Sequence, residues 1–310
     1  MPASYAYLGP EGTFTEAALR TLPEAATREL IPYVSVQSAL DAVRGGEAEA
    51  AFVPIENSVE GGITTTLDEL VAGAPLMIYR EVLLSITFAL LVRPGTELAD
   101  IKTVSAHPAA QPQVRNWLRS NLPDAHWESA ASNADAARLV QEGQYDAAFA
   151  GEFAAALYGL EALETGIHDA ENAQTRFVLV GRPARPAAPS GADKTSVVLW
   201  QRDDHPGGLR DLLGEFATRG INLMVLQSRP TGEGIGNYCF CIDAEGHISD
   251  RRVAEALMGL KRVCLEVRFL GSYPRADITA AEARTQPRGT SDEEFVAASD
   301  WVARCQDGRF

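Results

Sequence analysis

The chain has 310 residues, of which 46% are hydrophobic and 22% charged, an ordinary globular mixture long enough for two or three domains with cores of their own. Its 42 acidic and 27 basic side chains give a formal net charge of -15, which disfavours nucleic acid and anionic membranes while leaving room for a locally positive ligand site. The longest apolar run, Val82 to Val92, is broken by Ser85 and Thr87 and falls far short of the ~20 residues of a membrane-spanning helix.

In chain order, Tyr5 to Leu8 is predicted as a short strand, Thr15 to Leu22 as a helix, Val36 to Arg44 as a helix and Ala50 to Ile55 as a strand. Three threonines from Thr64 open a further helix. A strand near Thr103, helices over Pro112 to Leu122 and Ala134 to Gln141, and a strand over Asp146 to Ala150 continue the alternation. Strands alternating with helices predict an α/β domain with mostly parallel sheets. Val43 to Phe52 and Val140 to Phe149 echo one another: a helix ends at Gly, and an acidic residue precedes a strand rich in alanine. The echo points to two similar α/β lobes facing each other across a ligand cleft.

The run from Arg182 to Gly191 holds three prolines among small residues and reads as a semi-rigid linker. Beyond it come a strand over Thr195 to Gln201, a helix over Gly207 to Arg219, and strands over Asn222 to Arg229 and Asn237 to Ala244. A helix over Asp250 to Leu260 and a strand over Cys264 to Gly271 complete the set. That β-α-β-β-α-β order is the ferredoxin-like split motif, and the absence of clustered His, Asp and Glu marks it as a binding or regulatory module. From Tyr273 a polar tail follows, with modest helical periodicity over Glu293 to Arg304. Cys239 and Cys241 share one face of a strand; with Cys264 and Cys305 they make four cysteines, read as small hydrophobes without a metal motif. So few cysteines, with no basic apolar leader at the start, predict a reducing cytoplasm.

Four segments can carry chemistry. In Leu8-Gly9-Pro10-Glu11-Gly12-Thr13-Phe14-Thr15-Glu16 a strand turns into a helix whose Thr13 and Glu16 fit a capping box, a natural seat for a carboxylate or phosphate. In Val53-Pro54-Ile55-Glu56-Asn57-Ser58-Val59-Glu60-Gly61-Gly62-Ile63 a buried strand ends in polar residues, and Thr64, Thr65 and Thr66 then begin a helix. Polar groups at a strand's C-terminal end commonly face a ligand in α/β sheets. Gln174-Thr175-Arg176-Phe177 opens a third strand, with an arginine fork suited to a carboxylate. Ala106-His107-Pro108 leads into a helix that carries Gln113, and His107 reads as a structural or cleft-lining residue.

Together and in this order, these segments resemble prephenate dehydratase, over roughly residues 5 to 272. The resemblance rests on Leu8-Gly9-Pro10-Glu11-Gly12-Thr13-Phe14, on Pro54-Ile55-Glu56-Asn57-Ser58 with Gly61, and on Thr175-Arg176-Phe177. The C-terminal module resembles an ACT domain through Pro206-Gly207-Gly208-Leu209, Ile221-Asn222-Leu223 and Gln227-Ser228-Arg229-Pro230. Two positions depart from the family: Gln227 stands where Glu is usual, and Ala106 where Ser often precedes His-Pro.

The resemblance implies a periplasmic-binding-protein-like (type II) α/β catalytic domain over 1–182, with one lobe about 1–78 and 172–182 and the other about 79–171. A linker would span 183–193, a ferredoxin-like ACT regulatory domain 194–273, and an extension 274–310. It implies loss of CO2 and hydroxyl from prephenate, giving phenylpyruvate in phenylalanine biosynthesis, with no cofactor and no metal. Thr175 is the expected donor at the departing oxygen, with Glu56 as an alternative, and Asn57 and Gln113 are the other expected catalytic residues. Gly12, Thr13, Phe14, Ser58, Thr65, Arg176 and Phe177 are expected to bind substrate, with Arg176 and the amides near Thr13 and Thr65 on the carboxylates. Phenylalanine is expected to bind between paired ACT modules, at Gly208, Leu209, Asn222, Leu223, Gln227 and Ser228, which implies a homodimer or homotetramer. Arogenate as substrate, or a non-catalytic amino-acid sensor, are the rival readings.

Overall fold

A computed structural model describes residues 3–203, 205–231, 234, 238–283 and 285–309. The chain divides into two compact units. One is the chain up to Glu69 together with Val82–Val180, and the other is Leu70–Glu81 with the chain from Gly181 onward.

The first unit is built on two sheets. Its elements are β1 (Ser4–Leu8), α1 (Phe14–Leu19), β2 (Glu29–Tyr33), α2 (Val36–Gly45), β3 (Ala50–Asn57), β4 (Gly61–Gly62), α3 (Thr64–Val71) and β5 (Met77–Ser85), of which the end of α3 and the residues of β5 up to Glu81 fall in the second unit. They continue with β6 (Phe88–Val92), β7 (Thr103–Ala106), α4 (Gln111–Asn121), β8 (His126–Ser129) and α5 (Asn133–Gln141). β9 (Ala147–Ala150), α6 (Ala154–Tyr158), β10 (Glu161–Ile167) and β11 (Gln174–Gly181) complete the series. One sheet runs β2-β1-β3-β11-β5 with β4 on β3, the other β10-β6-β9-β7-β8. β1 pairs in parallel with β2 and β3, and β7 with β8 and β9, but β6 lies antiparallel to β9 and β10. The sheets are therefore more mixed than the expected parallel pattern.

The internal echo has a structural counterpart. Gly46 and Gly143 both take left-handed backbone, with φ of 78° and 80°, which ends each helix with no Cβ penalty. Each is followed by an alanine-rich strand inside its own sheet, β3 between β1 and β11 and β9 between β6 and β7. Small side chains suit these inner strands, because α2 and α5 lie directly on them. Phe52 and Phe177 stack at 5.6 Å in one lobe, and Trp117 and Trp127 flank Phe149 in the other.

The second unit contains β12 (Asp193–Trp200), α7 (Gly208–Ala217), β13 (Leu223–Pro230), β14 (Tyr238–Glu245), α8 (Arg251–Val263), β15 (Glu266–Pro274) and α9 (Asp292–Gln306). Asn237, the predicted start of β14, lies outside the described residues. The antiparallel order β13-β14-β12-β15 is the ferredoxin-like arrangement. Val197, Leu199, Phe240 and Ile242 face α7 and α8 through Leu212, Phe216, Val253 and Leu260. No helix or strand lies between Gly181 and Asp193.

Leu70–Glu81 belongs to this unit because its polar groups bond the sheet's residues. The Arg268 guanidinium donates to the carbonyls of Leu70, Val71, Ala72 and Gly73, closest to Val71 at 2.6 Å. Lys194 Nζ lies 2.9 Å from Glu81 Oε2, with side chains only 8% and 1% exposed.

Candidate active site

A cavity of about 590 Å³ opens within the first unit, lined from both lobes. Leu8 and Asn57 stand at the C-terminal ends of β1 and β3, and His107 directly follows β7. The first turns of four helices reach the same hollow: Thr13 to Thr15 of α1, Thr65 of α3, Ala110 and Gln113 at α4, and Ser132 to Asp135 at α5. Helix starts carry partial positive charge and amide donors. Among the described residues no Arg or Lys side chain lines the cavity, so those dipoles supply most of the attraction for an anion. Phe14, Ile86, Phe88 and Phe177 form an apolar wall.

Asn57 and Thr175 meet in its lining, although 118 positions separate them. Asn57 Nδ2 donates to Thr175 Oγ1 at 2.9 Å. The Asn57 Oδ1 accepts from the Val59 and Glu60 amides at 2.8 and 3.1 Å, so the amide can point only one way round. Thr175 is 7% exposed, and since its oxygen accepts from Asn57, its own proton is free to donate. Gln113, 4% exposed, donates Nε2 to the Ala109 carbonyl at 2.9 Å. Its Oε1 is buried and has no protein partner among the described residues.

Of the sequence-predicted residues, Thr13, Phe14, Asn57, Thr65, Gln113, Thr175 and Phe177 line the cavity; Gly12, Glu56, Ser58 and Arg176 do not. Successive strand residues face opposite sides, so placing Asn57, Thr175 and Phe177 at the cavity turns Glu56 and Arg176 away from it. Arg176 is 6% exposed and lies 3.4 Å from Glu56; the pair binds β3 to β11. Neither Arg176 as a carboxylate anchor nor Glu56 as a proton donor fits this placement. Ser58 instead exchanges hydrogen bonds with the Gln174 backbone at 2.9 Å, once through its hydroxyl and once through its amide. The Gly12 amide donates to Glu16 Oε2 at 2.6 Å, so it is not an open anion donor. Gly12 sits at φ 79°, where a Cβ would come within 3.0 Å of Leu157 and 3.2 Å of Tyr158. It thereby lets the β1–α1 turn approach α6.

Sequence reasoning passed over Glu60 and the Ser132–Asp135 start of α5, which also line the cavity. The signal was present: Ser132 caps α5, its hydroxyl accepting from the Asp135 amide at 2.9 Å, and an N-cap serine just after a strand is the pattern read at Thr13. Among the described residues, no cluster of three or more His, Cys, Asp or Glu suits a metal, and no helix is long and apolar enough to cross a membrane.

In the second unit, the effector-site expectations fall at three places. Gly208 and Leu209 begin α7, while Asn222 and Leu223 lie beyond its far end, about 15 Å along the axis for a helix of this length. Gln227 and Ser228 lie on β13, an edge strand of its sheet. A single copy therefore does not gather all six around one small ligand.

Residues 5–185 match the family described as prephenate dehydratase, and residues 195–262 the ACT domain. A protein named prephenate dehydratase from Mycobacterium tuberculosis is 48% identical over 314 residues, covering 98% of this chain and 94% of that protein. The crystal structure of prephenate dehydratase in complex with L-Phe from Arthrobacter aurescens superimposes with a TM-score of 0.93 at 48% identity, over 98% of this chain and all of that one. A structure described as a novel type of quorum-quenching acylase matches with a TM-score of 0.77 at 30% identity, over 88% of this chain and 98% of that one. With the cavity and both modules in place, the chain belongs to the prephenate dehydratase family and carries an ACT domain.

Proposed function

We propose that the cavity catalyses the decarboxylating dehydration of prephenate to phenylpyruvate. The bond from the ring to its carboxylate breaks, its electron pair enters the ring, and the ring C–O bond breaks as aromaticity forms. The products are CO2 and hydroxide, and the hydroxide takes up one proton to leave as water. The observation that carries this reading is the Asn57–Thr175 bond. It turns the Thr175 O–H into a fixed donor for the departing oxygen without supplying the proton outright. Amides at the starts of α1, α3 and α5 attract the two carboxylates, and the apolar wall of Phe14, Phe88 and Phe177 holds the ring where water is scarce. Gln113 Oε1 accepts from the ring hydroxyl before it leaves.

In the same reading, residues 1–182 form the two-lobed catalytic part, 194–273 the ACT module and 274–310 an extension, and the enzyme works in the cytoplasm. L-phenylalanine binds where two ACT modules meet, with Gly208, Leu209, Asn222, Leu223, Gln227 and Ser228 supplied between the two copies. The separation of these pairs within one chain favours that shared site and a homodimer or homotetramer. Such binding shifts the cavity between conformations of different activity.

Purified full-length protein should convert prephenate to phenylpyruvate, read by the absorbance of the product in base. Arogenate in parallel tests the rival substrate, and an acylated quorum-sensing signal tests the acylase chemistry of the more distant structure. Turnover of either of these in preference to prephenate would replace this assignment.

A further inference from the structure

We propose that Phe153 and Tyr158, at the two ends of α6, are positioning residues for the reaction: they clamp the β1–α1 turn and so hold Thr13 and Phe14 in place at the cavity. The inference rests on the reading of that cavity as the prephenate site.

The turn and the helix belong to different sheets. The turn, Gly9 to Thr13, follows β1, and α6 follows β9. Three contacts join them. The Tyr158 hydroxyl donates to the Glu11 carbonyl at 2.8 Å, across 147 positions of sequence. Leu157 and Tyr158 lie so close to Gly12 that a Cβ there would stand 3.0 and 3.2 Å from them. The Phe153 ring meets the Phe14 ring edge-on, with centroids 5.4 Å apart and planes at 88°. Burial raises the pKa of the Tyr158 hydroxyl, so it keeps its proton and remains a donor.

Phe14 carries the consequence. It packs on the hydrophobic cores of both sheets, and its ring meets Phe88 at 5.6 Å as well as Phe153. It lines both the cavity and a second hollow of about 580 Å³, which it shares with Leu84, Thr87 and Phe153. Without Phe153, the Phe14 ring has room to turn from the cavity wall into that hollow. Gly151 in turn sets the place of Phe153: a Cβ at Gly151 would come within 2.3 Å of two atoms of the Phe153 ring, so glycine lets that ring lie back over the end of β9. Phe153 is 44% exposed, so its removal leaves no cavity in a core and bears on the turn more than on the fold.

An edge-to-face aromatic pair and a neutral hydrogen bond are each modest interactions. Together they raise the fraction of molecules in which the turn is in place. Apparent substrate affinity scales with that fraction, whereas turnover of the bound complex does not. Loss of the clamp is therefore felt in KM more than in kcat.

Steady-state kinetics of full-length variants on prephenate test this. Phe153→Ala should raise KM about tenfold and Tyr158→Phe about fivefold, with kcat within about twofold of wild type and melting temperatures near the wild-type value. Gly151→Ala, which displaces the ring but keeps Phe153, should behave like Phe153→Ala. Phe153→Tyr keeps an aromatic edge and should recover KM to within about twofold. Hydrogen exchange reads the clamp without substrate: the amides of residues 9–16 should exchange about tenfold faster when Phe153→Ala and Tyr158→Phe are combined. A wild-type KM in both single variants, or a fall in kcat at constant KM, overturns the proposal. So does unchanged exchange over residues 9–16 in the double variant. An inactive wild type overturns the reaction assignment instead, and the exchange measurement still decides the clamp.

Discussion

Asn57, at the end of β3, holds Thr175, at the start of β11, at 2.9 Å, and its own carbonyl is locked by the Val59 and Glu60 amides. The hydroxyl of Thr175 is therefore an acceptor toward the protein and a donor toward the cavity. Removing the hydroxyl in Thr175→Val, or reversing its polarity in Asn57→Asp, where a carboxylate would claim the threonine proton, should each lower kcat by about 10²–10³-fold. Thr175→Ser keeps the hydroxyl and should lose far less. Equal activity of the valine and serine variants in steady-state assays would remove Thr175 from the chemistry.

Much of this arrangement could be read from residue order, because it rests on local rules. Leu8-Gly9-Pro10 ends a strand, Thr13 caps a helix and Asn57 ends a buried strand, and each signal is complete within a few residues. The sequence offers Arg176 as a carboxylate anchor and Glu56 as an alternative donor. Yet the alternation that brings Thr175 and Asn57 inward turns their neighbours away, and that period of two was available in the sequence. The strands β2, β8 and β10 escaped notice for another reason. β2 carries Pro32 and is an edge strand, β8 is a four-residue edge with His126 and Glu128, and β10 is an edge with Glu161 and Glu164, so burial on one face only leaves little apolar pattern. The placement of Leu70–Glu81 with the C-terminal unit could not be read locally, since it depends on Arg268 and Lys194 nearly 200 and more than 100 positions away.

The Lys194–Glu81 pair is almost wholly buried, and Glu81 Oε1 also accepts from the Ala276 amide at 2.8 Å. Truncating one member strands a charge in a dry environment. Glu81→Ala should therefore cost about 3–5 kcal/mol, whereas replacing both members by methionine should cost much less, because no charge is then left unpaired. Urea unfolding midpoints of the single and double variants measure the difference. A single variant as stable as wild type would mean that water reaches the lysine.

The effector reading turns on residues that one chain holds apart. Asn222 is exposed, and its backbone carbonyl accepts from the Glu245 amide at 2.8 Å, so the backbone is fixed while the side chain remains available. Asn222→Ala should weaken L-phenylalanine binding about tenfold, as expected for a lost hydrogen bond of roughly 1.4 kcal/mol. Gln227→Glu restores the charge usual at this position and should strengthen binding if the site receives the amino group of the ligand there. Calorimetric titration with L-phenylalanine reads both, and binding unchanged in both variants would move the effector elsewhere.

Asp146 supplies a pH signature for the second lobe. Burial alone would raise its pKa, but the amides of Lys102 and Thr103, the Thr103 hydroxyl and Arg93 hold it below the usual carboxylate value. The two amides and the hydroxyl lie 2.9–3.0 Å from Oδ2, and together they tie the β7 start to the β9 start. Because the folded pKa lies below the unfolded one, the stabilisation is complete above the unfolded value of about 3.9 and is lost as pH falls through the folded value. Asp146→Asn removes the charge and one strong acceptor. It should cost about 1–2 kcal/mol at neutral pH, a figure held down by the side chain's 32% exposure. The gap between variant and wild type should begin to narrow as pH falls below about 4, where the unfolded chain takes up the proton, and close only below the lowered pKa of the folded carboxylate. Thermal unfolding of both proteins from neutral pH downward gives the comparison. A gap that stays constant across that range would mean that shape, and not charge, makes the contribution of Asp146.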